Sequence, residues 1–284
     1  MNRKPSSLES GRNAGPYWGL AFCLLAVVFY PTLVWLVNTW LSSPYYSHGL
    51  LIPAIAAWCA WRLSREHREK PQDALGEGLA ALGVSLGVHL FALGRQRHLL
   101  SSLALVLSLA GLVMTIGGIS GLKRHSFPLA FLLFMIPLPW MDSWAPVLAR
   151  GVAHWAAVLA RPLGIQATVE GARIGLAGGA MTVGAPCSGL NSLVALMALA
   201  ALYAFLVRGP LWKRALLLLF SPFIALAVNL TRIWLLLLLG HYAGVDAALR
   251  YFHDWSGLLL FALALGLLML AGRGLGCVGI RSDI

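Results

Sequence analysis

The chain has 284 residues, 59% of them hydrophobic and only 11% charged, with a formal net charge of +11. A water-soluble domain carries about 25% charged residues, so a soluble globular enzyme and a disulfide-stapled secreted domain are both excluded. Mean hydropathy is +0.79, and several apolar runs reach the ~20 residues that cross a hydrocarbon core of roughly 30 Å. The sequence reads as an all-α polytopic membrane protein. Its basic excess suits cytoplasmic loops and interfacial belts, and no nucleic acid partner is expected.

Residues 1–16 are polar and read as a disordered cytoplasmic tail. The first apolar run begins too late and continues too long for a cleavable signal peptide. Eight spans are expected, at about 17–37, 46–63, 76–93, 98–119, 126–140, 188–207, 213–239 and 254–272. They form a single transmembrane domain over 17–272, followed by a short cytoplasmic tail over 273–284. The second and fifth spans are short and carry Pro53, Pro137 and Pro139, which marks ends that break near an interface.

The connection over 141–187 is the longest. In its first half Arg150, His154 and Arg161 share one helical face, with Trp155 and Leu159 off that stripe. This predicts an amphipathic helix lying on the outer interface. The second half is Gly-rich with short β-branched runs and predicts a small strand-turn-strand cap.

Charge sets the orientation. With the N-terminus inside, most of the 21 Lys and Arg fall in inner segments, among them Arg62, Arg65, Lys123, Arg124, Lys213 and Arg214. The outer segments hold only Arg95, Arg97, Arg150, Arg161, Arg173 and Arg250. The positive-inside bias therefore favours N-in and C-in, in the cytoplasmic (inner) membrane.

Ionisable groups in or beside a span are costly, so each requires a reason. Cys187 precedes the sixth span, Arg232 lies in the seventh, and His253 opens the eighth. Arg232 stands about 27 Å of helix beyond Arg214 at 1.5 Å per residue, so all three fall at the outer side. A thiolate is the reactive form of cysteine, favoured by a helix N-terminus or a nearby cation. His253 suits the proton transfers and Arg232 a developing oxyanion or a substrate carboxylate. The bland alternatives stand beside these: a packed thiol, a snorkelling Arg and an interfacial His.

Cys23, Cys59 and Cys277 read as small packed hydrophobes. His89, inside the third span, reads as a helix–helix hydrogen bonder, and His48 either caps a helix or lines the site. His48, His241 and His253 show no metal-ligand spacing, so no metal or other cofactor is expected.

The segments YSHGLLIP at 46–53, FMIPLP at 134–139, APCSGLNSL at 185–193, NLTRI at 229–233 and HDWSG at 253–257 occur in that order. In this the chain resembles the exosortase/archaeosortase family of membrane cysteine transpeptidases. The resemblance implies Cys187, Arg232 and His253 as the catalytic set. His48, Ser188, Asn191, Asn229 and Asp254 would support the site or touch substrate. It implies, as partners, exported proteins that end in a short motif (Pro-Glu-Pro in the bacterial type), one membrane span and a basic tail. Membrane lipids surround both. Cleavage after the motif would give a thioester, then transfer to an amine. Many relatives carry Arg where this chain has Asn191, which implies a different signal preference. Three rivals stand open: hydrolysis without transfer, a transporter or channel, and a non-catalytic scaffold for polysaccharide export. The nearly uniform apolarity of the inner halves of the spans speaks against a transport pathway.

Overall fold

The structure, a computed structural model, describes residues 15–43, 45–66, 74–184 and 187–281; the side chains of residues 15–18, His253 and Asp254 fall outside that description. The expected N-terminal tail also lies largely outside the described residues. The chain is 80% helical, with a small three-stranded sheet. Among the described residues four helices are long and apolar enough to cross a membrane: α4 (Leu75–Gly94), α5 (His98–Arg124), α9 (Leu211–Ala243) and Trp255–Gly274 of α11 (His253–Gly274). A fifth arises if α1 (Gly15–Val28) and α2 (Tyr30–Ser42), bent by 76°, count as one broken span.

Each of the eight expected stretches contains helix, but several fall short in length. The helix α3 (Leu51–Glu66) has 16 residues and α8 (Leu190–Leu206) has 17; at 1.5 Å per residue both stay under about 26 Å. The stretch 126–135 is a short α6 (Ser126–Phe131) running into a 3-10 turn, and Pro137 and Pro139 prevent its continuation. The bend between α1 and α2 has the same kind of cause. Pro31 offers no N–H to the carbonyl of Val27, so a continuous helix is disfavoured there.

The chain divides into two compact units, residues 1–39 with 53–137 and residues 40–52 with 138–284. In the first, α4 and α5 form an antiparallel hairpin whose backbones approach closely at Gly78 and Gly111; a Cβ on Gly78 would meet Thr115 and one on Gly111 would meet the backbone of Leu82. Small residues permit such contact where no hydrophobic drive holds helices together. Polar pairs bridge the same seam, with Ser85 2.6 Å from Ser108 and His89 Nδ1 2.7 Å from Ser101. His89 is fully buried, and its Nε2 donates to the Val28 carbonyl over 3.1 Å while Phe29 packs against its ring. A carbonyl only accepts, so Nε2 carries a proton in this contact. His89 thus holds the bent α1–α2 pair to the hairpin, as a hydrogen bonder between helices.

In the second unit, α7 (Met141–Ala160) presents three faces. Ala149, Ala153, Ala156, Ala157 and Ala160 are buried and belong to a core shared with α9. Trp144, Trp155 and Leu159 form an exposed apolar stripe, and Arg150 and His154 lie exposed beside it. The strands β1 (Thr168–Glu170), β2 (Arg173–Leu176) and β3 (Gly179–Thr182) make an antiparallel meander. Ile174 and Met181 turn inward from it onto Leu236 and Leu237 near the C-terminal end of α9. The expected strand-turn-strand cap is therefore present, with one strand more.

A second core joins α8, α9 and α11 through Leu196, Ala200, Leu217, Ala225, Ala264 and Leu268. After α9 the chain turns through α10 (Val245–Ala247) and a π-helical turn over 248–252 into α11. At the opposite end, Arg214 donates to the Ala204 and Phe205 carbonyls, capping the C-terminal end of α8. The segment after α11 doubles back there. Val207 pairs with Ile280, Arg208 N donates to Gly279 O, Arg281 N donates to Leu206 O, and Cys277 is 1% exposed.

Candidate functional site

The site lies in the second unit, where α9 passes between the two cores. The α8 helix starts at Leu190, with Gly189 as its N-cap at φ 87°. Ahead of it the chain makes a tight turn, with Cys187 N donating to Gly184 O at 3.0 Å and Leu190 N to Ser188 Oγ at 3.4 Å. Ser188 is fully buried and so braces this turn from inside. Ala185 and Pro186, expected to lead into the helix, lie outside the described residues.

Asn229, on α9 and 5% exposed, secures the turn from across the unit. Its Nδ2 donates to the Cys187 carbonyl at 3.0 Å. Its side chain also fills the space beside Gly189, where a Cβ would come within 2.7 Å of Asn229 Nδ2. Position 189 therefore excludes a side chain twice, by its left-handed backbone and by this contact. Gly189→Ala should cost about 1–2 kcal/mol in backbone strain alone and displace Asn229 from the Cys187 carbonyl. The expected outcome is protein inserted at near-normal levels whose Cys187 is alkylated at an altered rate; an unchanged rate would show that the turn does not depend on Asn229.

Arg232 follows Asn229 by one helical turn on the same side of α9. Its Nε donates to Ser256 Oγ at 3.0 Å, and Ser256 is 1% exposed on α11. The guanidinium lies over Gly257, 3.7 Å from where a Cβ would stand. Two opposing effects act on the Cys187 thiol. Burial raises its pKa above the ordinary 9.0, and the Arg232 charge pulls it back down, with burial the larger. The expected lowering by a neighbouring cation is present, but desolvation outweighs it.

Beside these residues is a cavity of about 540 Å³ whose polar end includes Ser47, His48, Asn191, Asn229 and Arg232. Its wall nearest the turn is Asn229 and Arg232, while Cys187 packs in the core at 6% exposure. His48 is held near this cavity by its own segment. Tyr46 Oη donates to the Leu138 carbonyl and accepts from Leu138 N, both at 2.9 Å, and Gly49 leaves room for the Trp40 ring. The YSHG and PLP segments are thereby in direct contact.

The structure thus brings Cys187, Ser188, Asn229 and Arg232 together and sets His48 and Asn191 in the adjoining cavity. His253 opens α11 one turn before Ser256, but its side chain and that of Asp254 lie outside the described residues. His241 is exposed against Tyr242. Cys23 is exposed, whereas Cys59 and Cys277 are buried. Among the described residues no three His, Cys, Asp or Glu side chains cluster as metal ligands.

Sequence reasoning missed Ser256, Gly257 and Gly189. A signal for Ser256 existed in HDWSG, where it stands one helical turn after His253 and shares its side of the helix.

No curated protein and no solved structure matches the chain. Residues 40–270 match the family described as transmembrane exosortase (Exosortase_EpsH). That range takes in the segments of Cys187, Arg232 and His253 and every described residue of the cavity. This chain belongs to the transmembrane exosortase family.

Proposed function

We propose that the protein is a cysteine transpeptidase that cleaves a C-terminal sorting signal from exported proteins. What supports this most is the joining of three motif segments at one point: Asn229 holds the Cys187 carbonyl, Arg232 acts on the Cys187 thiol, and Arg232 rests on Ser256, one turn from His253. In the proposed cycle His253 takes the Cys187 thiol proton as sulfur attacks the carbonyl carbon. Arg232 stabilises the resulting oxyanion. The C–N bond then breaks, the departing amine takes the proton from His253, and a thioester remains on Cys187. An acceptor amine displaces the thiol, forming a new amide.

Hydrolysis differs only in the last attacker. Mass spectrometry of the product's new C-terminus separates the two. An added amine-bearing group is expected, and a bare carboxylate in the presence of cellular acceptors would assign the protein as a protease.

The proposed topology has eight spans, N-in and C-in in the inner membrane, with the site at the outer face. The helices α3 and α8 serve as short spans that end within the interfaces, and the charge bias of the loops supports the orientation. The fifth crossing is assigned to the whole stretch 126–140, because α6 and its 3-10 turn alone reach only about 15 Å. Single cysteines placed in 141–184 should react with an impermeant maleimide in intact spheroplasts, and cysteines at 64–66 only after lysis. The reverse pattern would refute the outer placement.

A further inference from the structure

The cavity changes character along its length, and three helices change together. On α9 its lining passes from Arg232 and Asn229 to Ala225. On α11 it passes from Gly257, under the guanidinium, to Ala264, and on α8 from Asn191 to Ala195. Each step covers about one to two helical turns, so on α9 and α11 the apolar end lies about 10 Å of helix from the level of Arg232. At that end Ala195, Ala225 and Ala264, one from each of three helices, line the cavity together with Val228, Leu260 and Phe261. An occupant that fits is one polar at one end and apolar within a few residues, with an apolar side chain to place beside the three alanines.

We propose that this apolar end is a side-chain pocket for the first apolar residues following the cleaved bond, sized by Ala225 and Ala264 to admit a bulky aliphatic or aromatic side chain. The inference rests on the proposed function and adds to it the direction in which substrate lies. The polar motif sits at the level of Arg232, and the leaving, membrane-embedded segment runs down between α9 and α11. Selectivity then resides in the leaving segment as well as in the motif, because an apolar floor that includes three alanines rewards close packing within lipid.

The test uses the full-length protein in liposomes with a synthetic substrate: a short polar motif, about 20 Leu-rich residues and an Arg tail. Ala225→Phe or Ala264→Phe should reduce cleavage of this substrate at least tenfold, and replacing one early Leu of the substrate by Gly should restore it. In parallel, a benzophenone placed at each of the first four apolar positions should cross-link, in the Cys187→Ala protein, to residues around Ala225 or Ala264 from one position above the others. Equal cleavage by wild type and both Phe variants overturns the proposal. So does a loss that no small-residue substrate rescues, combined with cross-links confined to lipid, which would assign the space to an acyl chain. If the Phe variants do not insert, the cross-linking pattern alone decides. A wild-type protein that never cleaves the substrate refutes the underlying function and the pocket with it, whereas cleavage without the cross-link refutes only the pocket.

Discussion

Cys187→Ala is expected to end processing of a substrate carrying the motif, span and basic tail, while the protein still inserts. Removing a nucleophile that acts with a partner base costs on the order of 10⁴-fold or more, since the remaining groups have nothing to activate. The same change at Cys23, which is exposed, should be silent. At Cys59 and Cys277, both buried, it should cost stability rather than chemistry. Processing at normal rate by Cys187→Ala would remove the mechanism altogether. The thiol's electrostatics give the nucleophile an independent signature. Burial holds the Cys187 pKa above 9.0, so little thiolate is present at neutral pH, and alkylation should accelerate as pH rises through and beyond that value. Arg232→Gln withdraws the lowering influence of that charge, so alkylation at a given pH should slow. Faster alkylation in that variant would show that Arg232 acts by steric cover instead of charge.

Arg232 carries the second large effect. If its guanidinium meets the oxyanion, removing that donor costs about 10²–10³ in rate, or roughly 2.7–4 kcal/mol. Lys keeps the charge but lacks the planar fork with which one edge binds Ser256 and another would meet the oxyanion in the proposed cycle. Arg232→Lys should therefore be strongly impaired and Arg232→Gln more so, with inserted protein near normal. A snorkelling anchor would tolerate Lys, because both side chains reach the interface. The reading is the processing rate per inserted enzyme, and near-full activity in Arg232→Lys would move Arg232 out of the site. Ser256→Ala offers a graded control, since it removes the seat and leaves the charge.

Much of this was legible in the sequence because each signal was local. Apolar runs placed the helices, and the Gly-rich β-branched stretch after Gly164 announced the sheet. His89 declared itself by being a polar group that lipid would not tolerate alone. The lengths of helices were less legible. Pro31 ends one helix by withholding a single N–H, while Pro146 and Pro222 sit inside α7 and α9 without ending them. The face of α7 was half legible. Its charged stripe stood out, but the alanines that dock it on α9 look like any helix-forming residues. The bond from Asn229 to Cys187 spans 42 positions, and nothing along the chain encodes such a pairing except the fold itself.

The doubling back of residues 277–281 onto 206–208 has a consequence in time. The loop between α8 and α9 leaves the ribosome long before the segment that pairs with it, so its backbone groups must wait, hydrated, until α11 and the turn after it have been made. The end of the second unit nearest Arg214 therefore closes last, and a reporter fused directly behind α11 would interrupt that closure rather than merely mark the side on which it lies.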